Sequence, residues 1–378
     1  MKPVTLFVCG DMMTGRGIDQ VLPHPSDPVI HEPYMDSALG YVALAEQANG
    51  PIPRAVTPEY IWGDALAEFD RIKPQACIVN LETAITTSQD WQPKGINYRM
   101  HPGNIGCLTA AGIDCCVLAN NHVLDWGAAG LIETLDTLHA AGIGTAGAGR
   151  NRHEAETPAI VQLDNGYRVL VFSFGMESSG VPLHWAAMED RPGVDFLADL
   201  SDRAVDAIAA RMHAIRRKGD VVVASVHWGG NWGYRIAPEE RRFAHRLIER
   251  AGVDLFHGHS SHHPKGIEVH REKLILYGCG DLINDYEGIS GHEAFRADLG
   301  LMYFPVLDTP SGRLLELQMV PVQMKRLRLN PPCAADTRWL CTMLDREGRH
   351  FGTSTQLRAE ARVALQWEGS PGPRTASG

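Results

Sequence analysis

Short runs of apolar and β-branched residues alternate with longer amphipathic stretches along most of this chain. Runs such as VTLFVCG at 4–10 and RVLVFSF at 168–174 are typical of buried strands, whereas the amphipathic stretches are typical of helices. Further strands are predicted at 76–80, 114–120, 142–146, 220–228, 253–259, 272–281 and 299–308. Helices are predicted at 58–71, 104–112, 128–142, 202–218 and 238–252. This alternation predicts a layered α/β fold.

The spacing between the predicted strands changes along the chain. The earlier strands are separated by helices, whereas those after residue 252 follow one another at hairpin-like distances, which favours a mixed two-sheet sandwich over a doubly wound sheet. We predict one catalytic domain at 1–330, in which an insertion at 23–58 covers the site. Residues 331–366 are predicted to form a helix and strand packed on the core, and the Gly/Pro/Ser-rich tail at 367–378 is predicted to be disordered.

Composition narrows the classes of partner. The formal net charge of −10 argues against nucleic acid as a partner, because proteins that bind nucleic acid usually have a concentrated basic surface. The eight cysteines lack CxxC spacing and lie mostly in apolar runs, which is typical of buried thiols in a reducing compartment. The sequence has no apparent secretory signal and no apolar run long enough for a membrane anchor. We therefore expect a cytoplasmic protein.

Polar side chains collect where the predicted strands end. The strand-end segments are GDMM at 10–13, NLET at 80–83, LANNHVLDWG at 118–127, VHWG at 226–229, HGHSSHH at 257–263 and GDLIND at 280–285. In open α/β sheets, ligands bind in the crevice beyond the carboxyl ends of the strands. Taken singly, each polar residue has an ordinary structural explanation, such as a cap or a buried hydrogen bond. Their joint placement predicts a functional site.

These segments carry a resemblance to a known family. GDMMTGR, VNLETAIT, LANNHVLDWG, VHWG, GHSSHHPKGIEV and YGCGDLINDYEG, in this order, resemble the CapA-like family of capsule and poly-γ-glutamate synthesis. That family belongs to the calcineurin-like metallophosphoesterase superfamily, and the similarity runs from about residue 4 to 330. The resemblance implies a calcineurin-like four-layer α/β-β/α sandwich with mixed sheets and a metal centre at the strand edge.

The resemblance also implies roles for individual residues. The expected metal ligands are Asp11, Glu82, Asn121, His227 and His262, and His259 also matches a ligand position of the superfamily. The expected catalytic residues are His122, oriented by Asp125, together with His259, Asp11 and Asp281. Three departures put a two-metal hydrolytic site in doubt: Met13 replaces a histidine, Glu82 replaces an aspartate, and GHSSH is one residue longer than the family's motif.

The altered site changes the expected cofactor and substrate contacts. Because Asp11, Glu82 and Asn121 offer oxygen ligands, one divalent metal is expected, first Ca²⁺, with Mn²⁺ or Mg²⁺ as alternatives and Zn²⁺ less suited. The predicted substrate-binding residues are Trp228, Trp232, Tyr234 and Asn284. The tryptophans have an equally good explanation as packing residues.

Three functions remain open at this point. Inversion of a Cα by two bases requires two facing His/Asp pairs. The predicted pairs are His122 with Asp125, and His259 with Asp11 or Asp281. Within the CapA-like family, the resemblance extends to the peptide epimerase of lasso-peptide biosynthesis, which inverts a C-terminal tryptophan of a precursor peptide. The alternative is a metal-dependent hydrolase or transferase acting on phosphoesters or poly-γ-glutamate. A metal-stabilised binding module is the third. A peptide substrate is the expected partner, without nucleic acid or a membrane anchor, and the oligomeric state is left open.

Overall fold

The computed structural model describes residues 3–164, 166–309 and 311–370. In chain order, the strands are β1 (Val4–Met12), β2 (Val29–Glu32), β3 (Met35–Ser37), β4 (Ala76–Leu81), β5 (Ala84–Ile85), β6 (Arg99–Met100), β7 (Cys115–Val117), β8 (Gly144–Ala146), β9 (Ala148–Gly149), β10 (Ala159–Gln162), β11 (Arg168–Gly175), β12 (Gly193–Val194), β13 (Val221–His227), β14 (Leu255–His259), β15 (Ile267–His270), β16 (Lys273–Leu276), β17 (Asp281–Ile283), β18 (Leu299–Asp308), β19 (Arg313–Met324), β20 (Leu329–Asn330), β21 (Thr353–Leu357) and β22 (Val363–Trp367). The α-helices are α1 (Gly17–Val21), α2 (Leu39–Asn49), α3 (Ala65–Ile72), α4 (Gly106–Thr109), α5 (Gly127–Ala140), α6 (Arg152–Glu156), α7 (Asp202–Ile215), α8 (Pro238–Arg246) and α9 (Ala334–Gly348).

Two mixed sheets carry the fold. The larger sheet has the strand order β21-β22-β19-β18-β1-β4-β7-β8, with β17 paired to β1 and β20 to β19. The smaller sheet has the order β10-β11-β13-β14-β16-β15. Its inner strands β11, β13, β14 and β16 are parallel, whereas β10 and β15 pair antiparallel at its edges. The later strands β18 and β19 form the long hairpin that the sequence spacing indicates.

The hydrophobic core lies in three layers. Alternate residues of both sheets, such as Val8 and Val223, pack against each other between the sheets. Helices α3 and α5 cover the outer face of the larger sheet, and α7 and α8 cover the outer face of the smaller one. Helix, sheet, sheet and helix therefore stack in four layers, which confirms the predicted calcineurin-like α/β-β/α sandwich.

Some predicted helices are shorter than their sequence patterns. The helix predicted at 58–71 begins only at Ala65, after a 3₁₀ turn at Tyr60–Trp62. Gly63 has φ +47°, and a Cβ there would clash with the Leu329 carbonyl oxygen, so the helical path is interrupted at this glycine. The helix predicted at 238–252 does end at Gly252, but its last turn, Leu247–Ala251, is a π-helix.

The two regions outside the central strands contact the core. The 23–58 insertion contains the β2–β3 hairpin and helix α2, and its Glu32 and Tyr41 side chains contact Arg16 beside the strand ends. The 331–366 region forms α9 and a strand pair that extends the larger sheet. Of the predicted disordered tail, 371–378 lies outside the described residues. Across residues 3–164, 166–309 and 311–370, the helices are too short or too polar to span a bilayer.

Candidate metal centre and acid–base site

Three carboxylates converge where the central strands of the larger sheet end. Asp11, near the end of β1, lies in register with Asn80 of β4 on one side and with Asp281 of β17 on the other. The Asn80 Nδ2 group donates a hydrogen bond to Asp11 Oδ1 at 2.7 Å. Glu82 follows directly after β4, within electrostatic range of both aspartates. The register of the sheet therefore assembles an acidic cluster from distant parts of the chain.

This acidic cluster is buried and its members repel one another. Burial, followed by the negative charge of Asp281, raises the pKa of Asp11 to about 7. Burial and the charge of Asp11 raise the pKa of Glu82 well above its usual range. The Glu82 Oε2 atom is buried and has no hydrogen-bond partner among the described residues. A divalent cation would neutralise the repulsion and give this oxygen a partner, so the cluster fits a cation.

Three histidines of the smaller sheet and its loops face the carboxylates. His227 at the end of β13 and His259 at the end of β14 lie in register, with their Nδ1 atoms 2.7 Å apart. His259 Nδ1 lies 4.0 Å from Asp11 Oδ1. Burial lowers the pKa of both rings well below the usual value. Burial also opposes charge on His262, but the Asp281 carboxylate 2.8 Å from its Nδ1 outweighs burial and raises its pKa.

The carboxylates and histidines provide two overlapping sets of ligand atoms for a cation, each set within 4.8 Å. The sets are Asp11 with His227 and His259, and Asp11 with His262 and Asp281. Asn121 Oδ1 adds a further oxygen 2.9 Å from His227 Nε2. Carboxylate and amide oxygens beside imidazole nitrogens suit divalent cations from Ca²⁺ and Mn²⁺ to Zn²⁺. The donor chemistry therefore supports a divalent metal.

A second group at the site has the geometry of an acid–base pair. His122 Nδ1 lies 2.6 Å from Asp125 Oδ2, which also accepts a hydrogen bond from the Tyr98 amide at 2.7 Å. The Lys94 ammonium lies 2.6 Å from Asp125 Oδ1, so this carboxylate is held on several sides. Burial lowers the pKa of His122 to about 4. The neutral ring donates from Nδ1 to Asp125, and its Nε2 faces Glu82 Oε1 at 3.6 Å, free to accept a proton.

The second predicted His/Asp pair forms with a different histidine. Asp281 contacts His262 rather than His259, and His259 keeps a 4.0 Å separation from Asp11. Ser260 has φ +98°, which turns the chain after His259 and directs His262 to the Asp281 carboxylate. The predicted pairing of His259 with Asp281 is therefore corrected to a pairing of His262 with Asp281, whereas the alternative partner, Asp11, does lie beside His259, at the 4.0 Å limit of an ion pair.

The structure also corrects the predicted role of Trp228. This side chain is buried on the helix side of the smaller sheet, against Phe243 and Phe256, and its Nε1 donates to the Tyr277 carbonyl oxygen at 3.0 Å. Because side chains alternate along a strand, the residue after His227 points away from the site. Trp228 is a packing residue.

The other predicted substrate contacts divide into two groups. Trp232 and Asn284 line an open cleft of about 480 Å³ that adjoins His262. Trp232 stacks on His292 with ring centroids 4.0 Å apart. Tyr234 does not line this cleft and packs against Phe295, so its predicted substrate contact is not supported. Two residues of the 23–58 insertion, Tyr34 and Asn49, also line the cleft, so the insertion forms part of its wall.

Several side chains at the site were not predicted. Lys94 lies in an aperiodic loop, where sequence pattern gives no signal. Tyr98 and Tyr286 pack edge-on against His122 and His262, respectively, and their hydroxyl oxygens lie 3.1 Å apart. Only Tyr286 lies within a quoted motif, YGCGDLINDYEG. These tyrosines connect the two histidines that contact aspartates.

The class of protein follows from this arrangement: an α/β-β/α sandwich with a metal-competent site at the ends of its central strands. The family model described as "Bacterial capsule synthesis protein PGA_cap" matches residues 5–286. The chain belongs to this family.

Curated relatives agree with the family match. A Mycobacterium tuberculosis protein named "Probable polyglutamine synthesis accessory protein" is 48% identical over 359 residues, which cover 94% of each chain. The "PGA biosynthesis protein CapA" of Bacillus subtilis is 26% identical over 278 residues, 73% of this chain and 62% of that protein. The "Capsule biosynthesis protein CapA" of Bacillus anthracis is 26% identical over 192 residues, 51% of this chain and 45% of that protein.

Proposed function

We propose that this chain is a metal-dependent hydrolase or transferase that acts on an amide-linked glutamate polymer. The observation that carries the proposal is the placement of the His122–Asp125 pair beside a buried carboxylate–histidine cluster that fits a cation. The substrate class is supported by the family's description as capsule synthesis proteins and by a relative whose name refers to polyglutamine synthesis.

The proposed roles follow from the geometry of the site. The residues that would hold the cation are Asp11, Glu82, Asn121, His227 and His262. When bound, a divalent cation polarises a substrate oxygen and makes the attacking group more acidic. His122, with its Nδ1–H donated to Asp125, accepts the proton of the attacking nucleophile at Nε2 and returns it to the leaving group.

The cleft provides room for a chain-like substrate. Its volume of about 480 Å³ is in the range of small-molecule sites. His262 lines one side of the cleft, and this side adjoins the proposed metal site. Trp232 offers an apolar wall. Asn284 Nδ2 donates to Asp281 Oδ2 at 3.0 Å, which holds this carboxylate toward His262. We propose that a peptide-like polymer lies along this cleft with one amide at the cation.

A second candidate function is peptide epimerisation, in which a Cα is inverted by two bases, as in the lasso-peptide epimerase. The specific observation that favours it is the presence of two His/Asp contacts, His122 with Asp125 and His262 with Asp281. Burial, and after it the electrostatic interaction with His122 and His262, lowers the pKa of His227, so both rings lie within electrostatic range of the same centre. One pair would remove the Cα proton and the other would return a proton to the opposite face.

One experiment separates the candidates. The chain is incubated in D₂O with Mn²⁺ or Ca²⁺ and with defined γ- and α-linked oligoglutamates, a phosphodiester, or a peptide ending in tryptophan, and products are followed by mass spectrometry. Amide cleavage or transfer on the oligoglutamates, lost in His122→Ala, supports the lead proposal. Deuterium at one Cα without cleavage supports epimerisation, and phosphodiester cleavage alone redirects the hydrolase to phosphoesters. Substrate binding without any turnover contradicts both candidates and favours a binding module.

A further inference from the structure

A chain of hydrogen bonds runs from the candidate metal centre into the interface between the two sheets. His227 Nδ1 lies 2.7 Å from His259 Nδ1, and His259 Nε2 lies 2.8 Å from Ser225 Oγ. Ser225 Oγ lies 3.1 Å from His257 Nδ1, and His257 Nε2 lies 2.7 Å from the Cys9 carbonyl oxygen. All five residues are buried. We call this set the His–Ser relay.

The alternation of the strands produces the His–Ser relay. Ser225 and His227 are two positions apart on β13, and His257 and His259 are two positions apart on β14, so their side chains share the face toward the other sheet. The register pairs Ser225 with His257 and His227 with His259. The far end contacts β1, where the ladder with β4 shifts register just after Cys9. The relay therefore crosses from one sheet to the other.

The Cys9 end of the relay determines which atom donates and which accepts in each hydrogen bond. A carbonyl oxygen only accepts, so His257 must carry its proton on Nε2. Because the ring is buried between uncharged partners it is neutral, and its Nδ1 accepts the Ser225 hydroxyl proton. Ser225 Oγ then accepts from His259 Nε2–H. The neutral His259 is left with a bare Nδ1, which accepts from His227 Nδ1–H.

The last member of the relay, His227, therefore has an unprotonated Nε2. This atom lies 2.9 Å from Asn121 Oδ1 and 3.8 Å from Glu82 Oε1, the oxygen atoms of two residues that would hold a cation. The reverse direction would instead leave a bare His257 Nε2 against the Cys9 carbonyl oxygen, with both acceptors buried. The Asn121 amide is partly exposed and can turn its Nδ2 group to donate to His227 Nε2, whereas the Cys9 carbonyl oxygen can only accept, so the reverse direction is disfavoured.

We propose that Ser225 and His257 are positioning residues that hold His227 in the Nδ1–H tautomer, so that Nε2 is the ligand atom offered to the metal. The other nitrogen of a metal-ligating histidine commonly donates to a fixed acceptor, which sets the ring's tautomer and orientation. Here that acceptor is His259, which is itself oriented by the relay. The role of the relay in metal binding rests on the proposed metal-dependent function. The tautomers themselves are a property of the metal-free chain.

The tautomers are tested directly by ¹⁵N NMR of the full metal-free chain. Long-range ¹H–¹⁵N correlations report which nitrogen of each imidazole carries the proton, and His257→Gln and His259→Gln identify the corresponding signals. We expect Nε2–H for His257 and His259 and Nδ1–H for His227. An Nε2–H signal for His227 overturns the proposal. Failure of the proposed function would leave this measurement unaffected.

The effect on the metal is tested by calorimetric titration with Mn²⁺. Ser225→Ala breaks the relay and is expected to lower the affinity about tenfold, whereas Ser225→Thr keeps the hydroxyl and is expected to restore it. Equal affinities for the Ala and wild-type chains overturn the proposal. If the wild-type chain binds no metal, the proposed function fails, and the NMR experiment on that same chain still decides the inference.

Discussion

Asp125 is the side chain on which the acid–base pair depends. It accepts hydrogen bonds from the His122 ring, the Lys94 ammonium and the Tyr98 amide, and it is fully buried. Its position fixes both the tautomer and the orientation of His122, as carboxylate partners of catalytic histidines do elsewhere. The proposed acid–base role therefore depends on one proton, the one at His122 Nδ1.

We predict that Asp125→Asn lowers turnover by on the order of a hundredfold or more, because the amide no longer selects the Nδ1–H tautomer of His122. Product formation from the substrate identified in the mass-spectrometric assay measures this change. Asp136→Asn, at an exposed carboxylate paired to Arg150, is the matched control and should retain full turnover. Wild-type turnover in Asp125→Asn with an intact fold would contradict the assigned role.

At the scale of elements, Arg16 ties the 23–58 insertion to the loop after β17. Its guanidinium contacts Asp285 in that loop, with Nε 3.1 Å from Oδ2, and contacts Glu32 Oε1 at 3.0 Å on the insertion. The Tyr41 hydroxyl lies 3.0 Å from Nη1, and the Tyr41 ring lies under the guanidinium. Since the insertion also lines the cleft, this contact positions one wall of the cleft.

We predict that Arg16→Lys destabilises the fold by about 3–5 kcal/mol, because one ammonium cannot serve the separate acceptors of a buried guanidinium. Chemical denaturation measures the loss, and hydrogen exchange should show reduced protection across 29–49. Arg54→Lys, at a more exposed ion pair with Glu46 in the same insertion, should cost less than about 1 kcal/mol. Unchanged protection in Arg16→Lys would mean that this contact does not anchor the insertion.

The strand positions could be predicted because apolar runs and their polar ends are local patterns. Because side chains alternate along a strand, the sequence of β13 was also enough to predict that Trp228 points to the opposite face from His227. The aromatic-rich sequence had instead suggested a substrate wall. The pairing of Arg16 with Asp285, 269 positions apart, could not be predicted, because it depends on sheet register. The same applies to His262 and Asp281, whose contact depends on the backbone turn at Ser260.

At the scale of the whole molecule, the candidate metal centre joins the two halves of the sandwich. Asp11 belongs to the larger sheet, and His227 and His259 to the smaller one. The folded-state pKa of Asp11, about 7, exceeds its unfolded value of ~3.9. Its proton therefore stabilises the metal-free fold fully below about pH 3.9, and this contribution is lost as pH rises through about 7. A cation that replaces the proton stabilises the folded chain by mass action.

The most direct test of the central claim is a calorimetric titration of the metal-free chain with Mn²⁺ at pH 6 and pH 8. We predict one site that is at least about tenfold tighter at pH 8, because Asp11 must release its proton before it binds the metal, and the raised pKa values of Glu82 and His262 act in the same direction. Asp11→Asn should abolish tight binding at both pH values. Absence of binding by the wild-type chain, or two zinc ions per chain bound with no dependence on pH, would contradict this account.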